Sequence, residues 1–267
     1  MTVASAQIQM QRLGTGGPPV LFLHGMDGLL FCQPFLQELA RSWQVLSPEH
    51  PGWGSSPRTP QFRTLDDISY AYLDLLEEFD TPIPVIGVSL GAWLAAEIAT
   101  KSCEQISSLV LVSPVGVRVG ERTERSFLDL YASPAEVVTT ALYGDPAKAP
   151  VRASLTDEQF EGLARAQEAT AYYGWEPYMH NPCLPDRLHR LKAPTLLVSG
   201  ERDGFVLRKD VFDAFATGIP NVTDVVRIPG VGHRVEEEAP LALAELITGF
   251  LRQSSAAARS QYTEGER

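Results

Sequence analysis

The sequence predicts an α/β chain: a mostly parallel sheet flanked by helices, with an inserted helical cap. Three observations carry that reading. Short apolar runs alternate with longer helical patterns along most of the chain. Most of the runs are continuously apolar rather than alternating, which marks strands covered on both faces. One stretch, 118–190, breaks the rhythm with helical patches and no convincing strand. Strand–helix–strand repetition implies crossover connections, and therefore a parallel sheet.

The elements follow in order. A strand near Ile8–Leu13 adds an antiparallel edge. "PPVLFLHG" (18–25), "WQVLSPEH" (43–50), "IPVIGVS" (83–89), "SSLVLVSP" (107–114), "PTLLVSGE" (194–201) and "DVVRIPG" (224–230) read as strands. Helical patterns lie between them at 32–42, 65–79, 90–101, 208–216 and 239–252. The core is thus expected over 1–117 and 191–252, and the cap over 118–190. Within the cap, patches at 121–132, 134–143 and 156–173 are separated by "ASPAE", "GDPAKAP" and "NPCLPD". Aromatic residues concentrate there, and Tyr131 and Trp175 are candidates to face a pocket beneath the cap. From Gln253 the chain loses apolar periodicity, so 253–267 is expected to be a disordered tail.

Composition narrows the function. At 267 residues and 44% hydrophobic content, the chain suits one sizeable domain with an insertion. A formal charge of −11 argues against nucleic acid and against an anionic membrane surface as partners. Cys32, Cys103 and Cys183 are scattered and read as reduced thiols. Five histidines without ligand spacing, and no C-x-x-C or H-E-x-x-H, predict no metal. Without a basic and apolar leader or a run of roughly 20 apolar residues, a soluble, cytoplasmic protein is expected. Oligomeric state is not legible.

The chemistry concentrates at one corner. Gly87-Val88-Ser89-Leu90-Gly91 fits G-x-S-x-G between an apolar run and the helical pattern "LGAWLAAEIATKS". Small residues two before and two after the serine let strand and helix approach closely. The turn exposes the Ser89 hydroxyl at a helix N-terminus, where unpaired N–H groups and the helix dipole favour negative charge. A serine hydroxyl needs a base, and the base needs an orienting acid. Asp203 follows a buried strand in "LLVSGERDG", and His233 follows the next strand in "GVGH". C-terminal strand ends of a parallel sheet share one rim, so Ser89, Asp203 and His233 can meet there. The rival acids are less well placed: Glu201 is too close to its strand and Asp210 lies in the next helix. Among other histidines, His180 and His189 have no strand end to fix them, and His50 precedes a turn. The "HGMDG" loop offers the Met26 N–H to pair with the Leu90 N–H as an oxyanion site. Asp27 is a candidate polar group at the pocket mouth.

As a set, "HGMDG", "HPGWGSS", "GVSLGAWLAAEIA", "LLVSGERDG" and "GVGH" resemble the α/β-hydrolase fold family, from about Gly17 to Leu251. The resemblance implies a Ser89/His233/Asp203 triad, a Met26/Leu90 oxyanion hole, a small-molecule substrate and no cofactor. Serine at the corner argues against the dehalogenase and epoxide-hydrolase branches, which look to an aspartate there. The expected reaction is hydrolysis of a small-to-medium, largely apolar ester. A lactone, or the C–C bond of a vinylogous diketone, is the alternative, with Arg187 and Arg190 as candidate holders of a substrate carboxylate. Carbon–carbon hydrolases of the family carry an asparagine near the oxyanion loop, and this chain has none before Asn181. A ligand receptor with little turnover is the reading from another class.

Overall fold

A computed structural model of the protein describes residues 2–3, 6–121 and 123–264, with side chains described over 6–121 and 123–257. Seven strands form the main sheet: β1 (Met10–Leu13), β2 (Pro19–Leu23), β3 (Gln44–Pro48), β4 (Ile83–Val88), β5 (Ile106–Val112), β6 (Thr195–Gly200) and β7 (Val222–Ile228). Their order across the sheet is β1-β3-β2-β4-β5-β6-β7. Only β1 runs antiparallel, against β3, which is the edge expected near Ile8–Leu13. The other pairings are parallel. A two-residue pairing of Thr2–Val3 with Ala6–Gln7 stands apart from this sheet.

Alternation along each strand sends side chains into two cores. Leu21, Leu23, Val85, Leu109, Leu111 and Leu197 fall in one, with residues of α2 (Leu65–Glu77) and α3 (Leu90–Lys101). Val20, Phe22, Ile86, Val110, Val112 and Val198 fall in the other, with Phe35 and Leu39 of α1 (Gln33–Leu39) and with Leu243, Ile247 and Leu251. Burial on both faces is why these strands are apolar without alternation. Burying each Leu, Ile or Val side chain contributes about 1.5–3 kcal/mol, so the two cores fix the sheet on which the site stands. Strand β7 departs from the pattern. It has one neighbour, and Val225 is nearly half exposed.

The insertion carries α4 (Ala135–Leu142) and α5 (Asp157–Gly174). A capping box starts α5: Thr156 Oγ1 accepts from Gln159 N–H, and the Gln159 side chain accepts from Thr156 N–H. Residues 121–132, read as a helical patch, contain no helix among the described residues. Phe127 instead pairs antiparallel with Val206, and Leu128 N–H donates to Phe205 O at 2.9 Å. Long-range pairing with the loop after β6 takes the backbone groups a helix would use.

After β6 come α6 (Asp210–Gly218), β7 and α7 (Pro240–Glu264). Helix α7 continues through most of the segment from Gln253 that the sequence reads as disordered, and residues 265–267 lie outside the described chain. The run "SSAAARS" prolongs a helix already nucleated by its packed first turns, because propagation is far easier than nucleation. Among the described residues no helix is long and apolar enough to cross a membrane. Nor does any group of three or more His, Cys, Asp or Glu among them form a metal cluster.

Candidate active site

The turn from β4 into α3 is as tight as its glycines imply. A Cβ on Gly87 would collide with Gly91 O and Ala92 Cα, and one on Gly91 with Leu23 O and His24 O. Ser89, at the corner, takes φ 52° and ψ −114°, a conformation that costs a non-glycine residue about 1–3 kcal/mol. Serine at a helix N-cap ordinarily accepts from the first-turn N–H groups. The Ser89 side chain makes no such bond. Its hydroxyl donates to His233 Nε2 at 2.7 Å.

His233 stands in the loop after β7 and is fully buried. Its Nδ1–H donates to Asp203 Oδ2 at 2.8 Å, which leaves Nε2 as the acceptor facing Ser89. The Phe205 ring meets the imidazole edge-on with centroids 4.8 Å apart. Asp203 Oδ1 accepts from Phe205 N–H at 3.0 Å and Val206 N–H at 3.1 Å. The pairing of Phe127 with Val206 described above therefore steadies the loop that presents the carboxylate. So Asp203 is a turn residue and a histidine partner at once. The rivals stand elsewhere: Glu201 accepts from Gly230 N–H, and Asp210 pairs with Arg208.

Beside Ser89 runs the loop from β2. The N–H groups of Met26 and Leu90 have no backbone partner among the described residues. His24 and His50 lie against one another beside the loop, ring centroids 3.8 Å apart and planes tilted by 33°. His24 Nδ1–H donates to Gly25 O at 2.8 Å, and its Nε2 accepts from His50 N–H at 3.0 Å. His50 Nε2–H donates to His24 O at 3.2 Å, and Tyr72 Oη–H donates to its Nδ1 at 2.5 Å. Both rings are neutral. Burial pushes His24 down to about 4, and burial together with its neighbour pushes His50 well below its ordinary value.

A cavity of about 470 Å³ opens between core and cap, lined in part by Met26, Asp27, Tyr131, Leu142, Thr170 and Arg234. Asp27 and Tyr131 line this cavity. Trp175 does not. It is 54% exposed, meets Tyr131 edge-on at 5.8 Å, and faces a separate groove with Phe127 and Tyr178. An aromatic-rich composition cannot tell which face of the cap a ring occupies.

Two residues escape a reading of the sequence alone. Arg234, next to the histidine, is almost completely buried and donates through Nη2 to Asp27 Oδ2 at 2.5 Å. Burial disfavours its charge, but the Asp27 and Glu237 carboxyls more than compensate and raise its pKa above the ordinary arginine value. A Cβ on Gly25 would lie 3.5 Å from Arg234 Nη1 and 3.4 Å from Ser89 Cβ, so the ion pair borders the serine. Glu238 accepts from Gly232, Gly144 and Asp145 N–H groups, tying the histidine loop to the end of α4. "HRVEEEAP" reads as a solvated charge run; the only hint of burial is its position directly after the glycine loop. Arg187 and Arg190 stand away from the cavity. Arg190 Nε–H donates to Thr100 O at 2.6 Å, and Arg187 faces Asp66 at 3.8 Å.

Residues 20–246 match the family model described as the alpha/beta hydrolase family. Over 116 residues the chain is 32% identical to the dihydrolipoyllysine-residue acetyltransferase component of the acetoin cleaving system of Cupriavidus necator, covering 43% of this chain and 31% of that protein. Over 107 residues it is 35% identical to the pimeloyl-[acyl-carrier protein] methyl ester esterase of Chromobacterium violaceum, covering 39% of each. These alignments span well under two thirds of either relative. Among solved structures, a serine hydrolase from the polyaromatic hydrocarbon-degrading bacterium Cycloclasticus zankles superimposes with a TM-score of 0.77 at 19% identity, covering 94% of this chain and 96% of that one. That last likeness is one of fold.

Proposed function

Because the chain belongs to the alpha/beta hydrolase family, we propose that it is a serine hydrolase cleaving a small-to-medium, largely apolar ester through an acyl-enzyme. The observation that carries the proposal is the hydrogen-bonded line from Ser89 Oγ through His233 to Asp203. Ser89 Oγ attacks the ester carbonyl carbon as His233 Nε2 takes its proton. The carbonyl oxygen becomes an oxyanion facing the Met26 N–H of the loop after β2 and the Leu90 N–H at the start of α3, where the helix dipole adds to its stabilisation. The tetrahedral centre collapses, the C–O bond to the alcohol breaks, and His233 returns the proton to the leaving oxygen. Water then loses a proton to His233 and attacks the acyl carbon. Ser89 leaves with that proton, and the carboxylic acid departs. Asp203 holds the tautomer that keeps Nε2 free to accept, and offsets the imidazolium charge.

Neutral esters suit the cavity better than carboxylate-bearing diketones. Of the two arginines that line it, Arg234, the one bordering Ser89, is already paired with Asp27, and Arg152 stands exposed. The loop position beside Ser89 carries Met26 and Asp27 instead of an asparagine. The name of the esterase relative also specifies an ester bond. The test is hydrolysis of p-nitrophenyl acetate, butyrate and octanoate by the wild type and by Ser89→Ala. The variant is expected to lose about 10⁴-fold or more in kcat. Undiminished turnover by a folded Ser89→Ala protein would end the proposal. Efficient fluorophosphonate labelling of Ser89 without turnover of any ester would favour the receptor reading instead.

A further inference from the structure

The oxyanion loop is held from the core and also from the cap. Two peptide units flank Met26. The first, Gly25–Met26, carries the Met26 N–H at one end and Gly25 O at the other. That oxygen accepts from His24 Nδ1–H at 2.8 Å and from Gly28 N–H at 3.2 Å. The second, Met26–Asp27, carries Met26 O. It accepts from Trp53 Nε1–H at 2.9 Å and from Thr170 Oγ1–H at 3.0 Å. Trp53 belongs to the core and is fully buried. Thr170 belongs to α5 of the cap, 144 residues away along the chain.

The surroundings of Thr170 make this more than an isolated contact. Ala166, Ala169, Thr170 and Tyr173 share one face of α5 by helical spacing, and all four are buried. Tyr173 stacks on Trp53, the other donor to Met26 O, at 5.5 Å and 13° between planes. A Cβ on Gly52, in the turn that carries Trp53, would lie 3.2 Å from Ala169 Cβ. One face of a cap helix therefore bears on both groups that fix the Met26 carbonyl.

We propose that Thr170 is a positioning residue: its hydrogen bond to Met26 O couples the seating of the cap to the alignment of the Met26 N–H with the oxyanion. This rests on the reading of Ser89 as nucleophile and Met26 N–H as oxyanion donor. With both flanking peptide planes clamped, the direction of the N–H is set before substrate arrives, and preorganisation is what makes such a donor effective. Removing the Thr170 hydroxyl leaves the second plane held by Trp53 alone. The first plane keeps its bonds to His24 and Gly28, but the Met26 Cα that ends it is then anchored less firmly, and the N–H loses angular precision. Ground-state binding in the cavity changes little, because Met26 N–H meets developed charge only in the transition state.

The experiment compares wild type, Thr170→Val, Thr170→Ala, Thr170→Ser and Ser89→Ala on a short p-nitrophenyl ester, with melting temperatures measured for each. A short alkylboronic acid serves as the tetrahedral analogue. Thr170→Val, which keeps shape and removes the hydroxyl, is expected to lower kcat about fivefold to tenfold with KM nearly unchanged. The boronate inhibition constant should rise by the same factor, and Thr170→Ser should restore both. Thr170→Ala answers the question if the valine variant does not fold. The proposal is overturned if the folded hydroxyl-free variant keeps wild-type kcat, if the loss falls on KM, or if serine does not rescue. Those failures are separable from failure of the nucleophile reading, which would show as full activity in Ser89→Ala.

Discussion

At the strand-end rim, Ser89, Asp203 and His233 come from turns whose geometry is set within a few residues of each side chain. In the cap, by contrast, Tyr131 lines the cavity only through packing that no local pattern announces. The rim is fully buried at Ser89 and His233, and the side-chain polar atoms of Ser89, His233 and Asp203 are all hydrogen-bonded. The cap exposes Phe160, Val151, Tyr131 and Trp175 to a large extent. Bond-making machinery demands fixed angles, and steric rules such as the collisions awaiting a side chain at Gly87 or Gly91 enforce them locally. In the proposed reading, substrate choice falls to side chains on a long connection, which tolerate change.

Substitutions can break or sharpen that contrast. The largest expected effect is at the rim. In Asp203→Asn the side-chain oxygen can still accept from Phe205 and Val206, so the loop survives, but the amide then points an N–H at His233 Nδ1. The imidazole must switch tautomer and loses its acceptor toward Ser89. We expect kcat to fall by roughly 10⁴-fold with little change in melting temperature. A loss below about tenfold would mean that the carboxylate orients nothing.

An intermediate effect concerns what stands behind the rim. His24, held down at about 4, and His50, lower than its ordinary value, stay neutral in the fold. Unfolded, each takes a proton near 6.5. The unfolded state then binds more protons than the native state, so their contribution to stability is lost as pH falls from about 6.5 toward 4. Urea unfolding at pH 7 and pH 5 should show a larger acid loss for wild type than for His24→Asn. Comparing the two proteins cancels the opposite slope from Glu237, whose carboxyl burial raises to about 8. Equal slopes would mean the buried histidine pair does not control acid sensitivity.

The smallest effect is in the cap. Trp175→Ala should change kcat/KM by less than about twofold across acyl lengths, whereas Tyr131→Ala should shift the preferred length severalfold. The reverse ranking would move the substrate into the outer groove.

Much of this contrast was legible in the residues. The strands showed as continuous apolar runs, and the Gly-flanked serine and the two strand-end loops marked the rim. What was hidden depends on contacts distant in sequence. Ser126, Phe127 and Leu128 pair with the loop after Asp203 instead of coiling, because backbone partners across the fold outweigh local propensity. Arg234 and Glu238 look like solvated charges until the His233 loop folds over them. Trp175 and Tyr131 are both cap aromatics, 44 positions apart with α4 and α5 between them, and only packing sorts them. The helix past Gln253 follows from an anchored start further back, which a search for periodicity in the tail does not see.

The central claim is that Ser89 becomes covalently acylated during turnover. Acid-quenching the enzyme during hydrolysis of p-nitrophenyl butyrate and mapping the adduct by peptide mass spectrometry tests it directly. A butyryl group on the peptide containing Ser89, accumulating in step with the first burst of p-nitrophenol and absent in Ser89→Ala, is the predicted result. Steady turnover with no acyl adduct at any point in the time course, or an adduct confined to another residue, would contradict it.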